Sequence, residues 1–242
     1  MNTEQTTLKI NELEVSVVRK PIKHLHLGVY PPDGKVRVAA PVHIDDETIR
    51  LAVIARWSWI RKQQQRFQEQ ERQSQREMVT GESHYFLGRR YRLDLVEQPG
   101  PPRIRIRNAH TLELAVPPGT DAAARRAILD RWYRRQLRAL LPALLQKWEP
   151  VIGVQVRELR IKKMKTRWGT CNAEAARIWL NLELVKKPPQ CIEYVLVHEM
   201  VHLLERSHNE RFVAFMDRFL PQWRLLRDEL NRAPLAHAAW KY

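Results

Sequence analysis

Three histidines and two glutamates fall within "HEMVHLLERSH", residues 198 to 208, the densest grouping of metal-ligating side chains in the sequence. His198 and His202 are four residues apart in an otherwise apolar segment, "CIEYVLVHEMVHLL". In a helix of 3.6 residues per turn they leave from one face, ~6 Å apart along the axis. That spacing lets two imidazoles take neighbouring corners of a zinc tetrahedron. Glu199 directly follows the first histidine. Its carboxylate is expected beside a metal rather than on it, in reach of a proton on a metal-activated water.

This is the H-E-x-x-H pattern of zinc peptidases. The competing account is two helix-surface histidines that meet by chance. A catalytic zinc has three protein ligands and one open position, and His208 is the candidate for the third. Ten residues after His198, a straight helix has rotated by ~1000°, well off the face. The helix must therefore stop between His202 and His208. Ser207 followed by Glu210 has the S-x-x-E form of a capping box, which predicts a new helix with His208 as its first residue. The spacing of the three histidines equals that of the metzincin motif, but Glu205 stands where that motif has glycine. Glu205 is a weaker ligand candidate, set against a solvated carboxylate at a helix end.

The elements that must position these residues are legible in outline. "LEVSVVRK", "HLHLGVY" and "KVRVAAP" alternate as strands, with "PPDGK" as a turn. A helix is expected from "ETIRLAVIARWSWIRKQQQRF", capped by Asp45 or Asp46 and fading into the polar "QEQERQSQREM". "HYFLGRRYRLDLVE" and "RIRIRNAHTLELAV" read as two hairpins. A helix follows, capped by Thr120 or Asp121, with a kink or break at Pro142. "VQVRELRIKKMKTRWGTC" and "ARIWLNLEL" read as strands, and "QCIEYVLVHEMVHLLER" and "NERFVAFMDRFLPQWRLLRDELN" as helices. The order predicts an α+β protein with a β-rich N-terminal part holding one long helix (1–118) and a C-terminal part holding the histidines (119–242). No internal sequence repeat is visible.

Composition narrows the function classes. The chain has 242 residues, 44% of them hydrophobic, enough for a packed core. No apolar run approaches the ~20 residues that span a bilayer, and the N-terminus lacks the pattern of a secretory signal. Cys171 and Cys191 fit neither a metal knuckle nor a disulfide framework, so two unpaired thiols in the cytoplasm are expected. The net charge of +15 favours polyanions as partners. "RIRIR" and the stripe Arg131, Arg134, Arg135 and Arg138 read as solvated faces or as a track for DNA or another polyanion.

"TRWGTC" (166–171), "ARIWLNLEL" (176–184), "PPQCIEYVLVHEMVHLLERSHNERF" (188–212) and Trp223 resemble the YgjP-like metallopeptidases, a zincin-like family related to the SprT and WLM groups. The likeness is strongest over residues 155–225. Thr170 stands where serine is frequent in the family, and Ser207 where asparagine is frequent. The resemblance implies a zincin-like C-terminal part, Zn2+ bound by His198, His202 and His208, and Glu199 as general base. Arg167 and Asn181 are candidate contacts to substrate or transition state. For Arg167 the alternative is an ion pair with Glu183 or Glu193 while Trp168 fills the core. "ARIWLNLEL" is the candidate for a strand lying along the cleft and pairing with an extended peptide. The leading expectation is a zinc peptidase acting on peptides or proteins, including proteins associated with nucleic acid. The rival is a basic nucleic-acid-associated binding module in which zinc is structural.

Overall fold

Alternation in "LEVSVVRK" and "KVRVAAP" sends every second side chain to one face of a sheet, and a first core forms there. The computed structural model describes residues 5–30, 34–69, 77–164 and 167–232. They fall into two compact units, one within residues 1–72 and one within residues 73–238.

The first unit contains β1 (Gln5–Ile10), β2 (Leu13–Lys20), β3 (His26–Tyr30), β4 (Lys35–Pro41), α1 (Asp46–Ile54) and α2 (Trp57–Glu69). The strand order is β1-β2-β4-β3. β2 and β4 run parallel with Val15 opposite Val36 and Val17 opposite Val38, and the outer strands pair antiparallel. These valines bury with Ile10, Leu13, Ile49, Val53 and Ile60. The single helix expected after Asp46 is two helices. The Ala55 amide donates to the carbonyls of both Leu51 and Val53, tightening and closing α1. The centre of the "PPDGK" turn (31–33) and the polar run 70–76 lie outside the described residues.

The second unit opens with β5 (Ser83–Phe86), β6 (Arg89–Glu97), β7 (Arg103–Ile106) and β8 (Thr111–Val116), in the order β5-β6-β8-β7. Helix α3 (Ala122–Ile152) follows, with Asp121 Oδ1 accepting from the Ala124 amide at 2.7 Å. It runs unbroken through Pro142 and Pro150 and ends at Gly153 in a left-handed conformation, φ 78°. Of the kink or break expected at Pro142, a break does not occur. Leu137, Leu141, Trp148 and Ile152 are buried on both sides of the proline, and such packing outweighs one missing hydrogen bond.

A three-stranded sheet comes next, β9 (Glu158–Lys162), β10 (Gly169–Asn172) and β11 (Arg177–Asn181), ordered β10-β11-β9. A 3-10 turn (Leu182–Lys186), α4 (Pro189–Val201), α5 (Glu210–Phe219) and α6 (Trp223–Arg232) complete the described chain. Leu93, Leu112 and Leu114 share one core with Tyr133 and Leu137 of α3 and with Leu196 of α4. The boundary expected at 118/119 thus falls inside this unit, in the turn between β8 and α3, because the β5–β8 sheet buries its inner face against α3. The β5–β6 turn is bonded to the 3-10 turn, with the Leu87 amide donating to the Val185 carbonyl (2.8 Å) and that of Gly88 to the Lys186 carbonyl (3.2 Å). Among the described residues no helix is long and apolar enough to cross a membrane.

Candidate metal centre

Helix α4 begins with Pro189 in its first turn, where no amide partner is needed. Ile192, Val195, Leu196, Val197, Met200 and Val201 bury it nearly all round. It stops at His202, after which the amides of Leu203, Leu204 and Glu205 fold back onto the carbonyls of Met200 and Val201. Helix α5 starts at Glu210, capped by Asn209, whose Oδ1 accepts from the Phe212 amide at 3.0 Å. The cap is therefore Asn209 rather than the expected Ser207, and His208 lies in the turn before the helix. The Ser207 amide is held within that turn by Glu205 Oε1 (3.1 Å), and asparagine caps as well as serine does.

The turn returns His208 to the first histidine, with its Nε2 3.0 Å from His198 Nε2. One ligand atom from each of His198, His202 and His208 lies within 4.8 Å of the others. The Phe212 ring backs all three imidazoles, at centroid distances of 5.0, 4.7 and 4.7 Å. His202 Nδ1 lies 3.0 Å from the Glu205 carbonyl. A carbonyl only accepts, so Nδ1 carries the proton and Nε2 keeps its lone pair. Glu205 thus serves the site through its backbone, while its carboxylate is outside the histidine cluster.

The donor set fits a zinc ion. Zinc–nitrogen bonds of ~2.0–2.1 Å place neighbouring tetrahedral nitrogens ~3.3 Å apart, close to the His198–His208 separation. Burial, then the charges of His202 and His208, push His198 down to about 3, and burial lowers His202. Neutral imidazoles with convergent lone pairs are ligands for a borderline divalent cation. Among the described residues no side chain or carbonyl bonds the buried Nδ1 of His198.

Glu199 is 6% exposed and lies against β10. A Cβ placed on Gly169 would stand 2.5 Å from Glu199 Oε1, so only glycine leaves the carboxylate its space. Burial raises Glu199 to about 8, and the charge of Arg167 draws it back. A cation among the histidines would lower it further.

The histidines and Glu199 line an open cleft of about 860 Å³, together with Arg167, Trp168 and every residue of β10. Arg167 pairs with neither expected carboxylate. Glu183 is taken by Lys186 (2.6 Å) and Glu193 by Lys147 (2.6 Å) and the Trp148 indole (2.8 Å). Asn181 does not line the cleft. Its Oδ1 accepts from the amides of Met164 and Glu183, and its Nδ2 donates to the carbonyls of Met164 and Arg167. No amide group is left for a substrate, and Asn181 instead fixes the loop that carries Arg167. β11, expected along the cleft, is the central strand with both edges paired. The edge strand facing the site is β10.

Three residues of the site escape a reading of the sequence. Gly169 lies inside a motif but gives no sign of what presses on it. Phe212 follows the cap by three residues, a spacing visible only once Asn209 is the cap. Tyr194, four before His198, carries the one available signal, because the i−4 position shares its helix face.

The family described as YgjP-like, metallopeptidase domain, matches residues 24–233. The chain belongs to the YgjP-like family. A comparison with curated proteins gives no match. Among solved structures, the metallopeptidase zymogen of Pyrococcus abyssi abylysin is similar at 20% identity and a TM-score of 0.35, covering 38% of this chain and 91% of that one. The YgjP-like match takes in β3 through α6, and so spans parts of both units as well as the whole cleft.

Proposed function

We propose that the chain is a zinc-dependent peptidase in which His198, His202 and His208 hold the metal and Glu199 is the general base. The observation that carries this reading is the convergence of three imidazoles beside a buried carboxylate in an open cleft. A structural zinc site is closed by four protein ligands, and among the described residues this cluster has three. When bound, zinc polarises a carbonyl and lowers the pKa of water. Glu199 takes the proton of the attacking water and returns it to the departing amine. Its tight seat against Gly169 fixes the direction of that transfer. An extended peptide adds to the outer edge of β10, where main-chain hydrogen bonds align the scissile bond.

For substrates associated with nucleic acid the support is charge. The net charge is +15, and Arg103, Arg131, Arg135 and Arg138 are exposed. Arg105 and Arg107 of the "RIRIR" run, however, are engaged with Glu113 and Asp94, and Arg134 donates to the Ile161 carbonyl. The test of the peptidase reading is Glu199→Gln, which keeps side-chain size and removes the base. Zinc content stays at about one per chain while cleavage of whichever substrate the wild type accepts falls at least ~10³-fold. Cleavage at the wild-type rate sinks the mechanism.

A further inference from the structure

The cleft continues past the histidines toward the start of α4. Tyr194 and Val195 line it from α4, and Arg227, Leu230 and Asn231 line it from α6. On α6 these three are spaced i, i+3 and i+4, so one face of the helix closes this end. Tyr194 is one helical turn before His198, ~6 Å along the axis, and their rings meet edge to face at 5.9 Å. That is the reach of a side chain flanking a bond held at the histidines.

The chemistry at this end is one-sided. Val195 and Leu230 are buried and supply apolar walls. Tyr194 is only 6% exposed, and among the described residues that line the cleft it carries the one phenol hydroxyl. Burial holds that hydroxyl protonated, up to about 12, and the charge of Arg227 reaches it, opposed by those of Glu199 and Asp228. The Arg227 guanidinium lies 5.2 Å from the centre of the Trp223 ring, and its contact with the adjacent Asp228 is long, 3.4 Å. Of the other arginines on the cleft, Arg206 is paired with Glu174 (3.0 Å) and Arg167 stands beside Glu199. Among the described residues no carboxylate side chain lines the Tyr194 end of the cleft, which presents a phenol donor and the guanidinium of Arg227.

We infer that Tyr194, Arg227 and the apolar walls between α4 and α6 form a subsite for an acidic side chain, aspartate or glutamate, next to the scissile bond of a peptide. A carboxylate accepts from both the phenol and the guanidinium, whereas a carboxamide of equal size adds no charge to meet that of Arg227 and an ammonium is repelled. The inference rests on the peptidase reading for the meaning of the bond being flanked, and adds which peptides are taken.

The test measures equilibrium binding of three peptides, identical except for Glu, Gln or Lys at the flanking position, to the zinc-loaded Glu199→Gln protein, which holds peptides without cleaving them. The Glu peptide binds at least ~10-fold tighter than the Gln peptide, and the Lys peptide binds weakest. Arg227→Gln brings Glu and Gln within about twofold, Arg227→Glu reverses the order in favour of Lys, and Tyr194→Phe weakens the Glu peptide by ~10-fold with little effect on the Gln peptide. Equal binding of Glu and Gln, or a Glu preference that survives Arg227→Gln, overturns the subsite. If Glu199-dependent cleavage occurs without any preference for acidic residues, the subsite falls alone. If no peptide binds and none is cleaved, subsite and peptidase reading fall together.

Discussion

The two four-stranded sheets have one topology and different duties. In each, an antiparallel hairpin and a second antiparallel pair join through a parallel central pair, β2 with β4 and β6 with β8. In each, an aspartate caps the helix that follows, Asp45 for α1 and Asp121 for α3. The first sheet closes a core of its own with α1 and α2. The second shares its core with α3, β11 and α4, and its β5–β6 turn is bonded to the segment leading into the helix of the histidines. Equal topology therefore does not mean equal coupling to the site. What differs is which elements complete each sheet's apolar face.

The strongest way to break this comparison is a buried charge in each core. Val38 and Leu137 are both fully buried, and aspartate at either costs ~4 kcal/mol or more. Val38→Asp should unfold the first unit and leave zinc content and cleavage near wild type, while Leu137→Asp should lose both. Zinc analysis and a melting curve read the two outcomes. If Val38→Asp empties the zinc site, the units are coupled as one and the comparison fails.

A smaller effect comes from pH in the metal-free protein. Glu199 is raised in the fold to about 8 from 4.5, so between those values the folded state binds the extra proton. Stability contributed at this position is then present at pH 4 and lost as pH rises toward 8. Removing the titration with Glu199→Gln should stabilise the second unit by on the order of 4 kcal/mol at pH 8 and leave it unchanged at pH 4. His198 acts in the opposite sense. Lowered to about 3 from 6.5, it makes stability fall as pH drops from 6.5 toward 3. Chelated protein melted across pH 3–9 checks both limbs, and zinc should abolish the alkaline one. A first-unit transition that moved with Glu199→Gln would blur the distinction between the units.

The smallest effect is at the caps. Asp45→Ala should lower only the transition of the first unit, and Asp121→Ala only that of the second, each by a few degrees. Calorimetry resolves them if the two cores unfold separately.

The sequence was most legible where function depends on local spacing. The interval from His198 to His202 follows from helix geometry alone, and the need for the chain to turn before His208 follows from the same rotation. The cap was displaced by two residues because Ser207 and Asn209 are equally good caps, and only the tie from Glu205 to Ser207 decides between them. The edge strand is not legible because "RIWLN" and "GTCN" are both short and pair with each other across a local turn, and no local signal says which of the two β9 joins. β1 and the shared topology of the two sheets were missed for a related reason. Hydrogen-bond order leaves no residue pattern when the two halves bury different side chains. The long α3 defied the local signal of Pro142 because its neighbours are held by the core.

Gly169 and Glu199 occupy a single volume, since the carboxylate fills the space a methyl group would need. Thirty positions apart in the chain, they are constrained to change as a unit. An alanine at 169 is tolerable only with a shorter side chain at 199, and such a pair no longer brings this carboxylate to the cleft. Within an alignment of relatives the two sites should behave as one inherited character, glycine with glutamate wherever the proposed hydrolysis is under selection, and free to drift together where it is not.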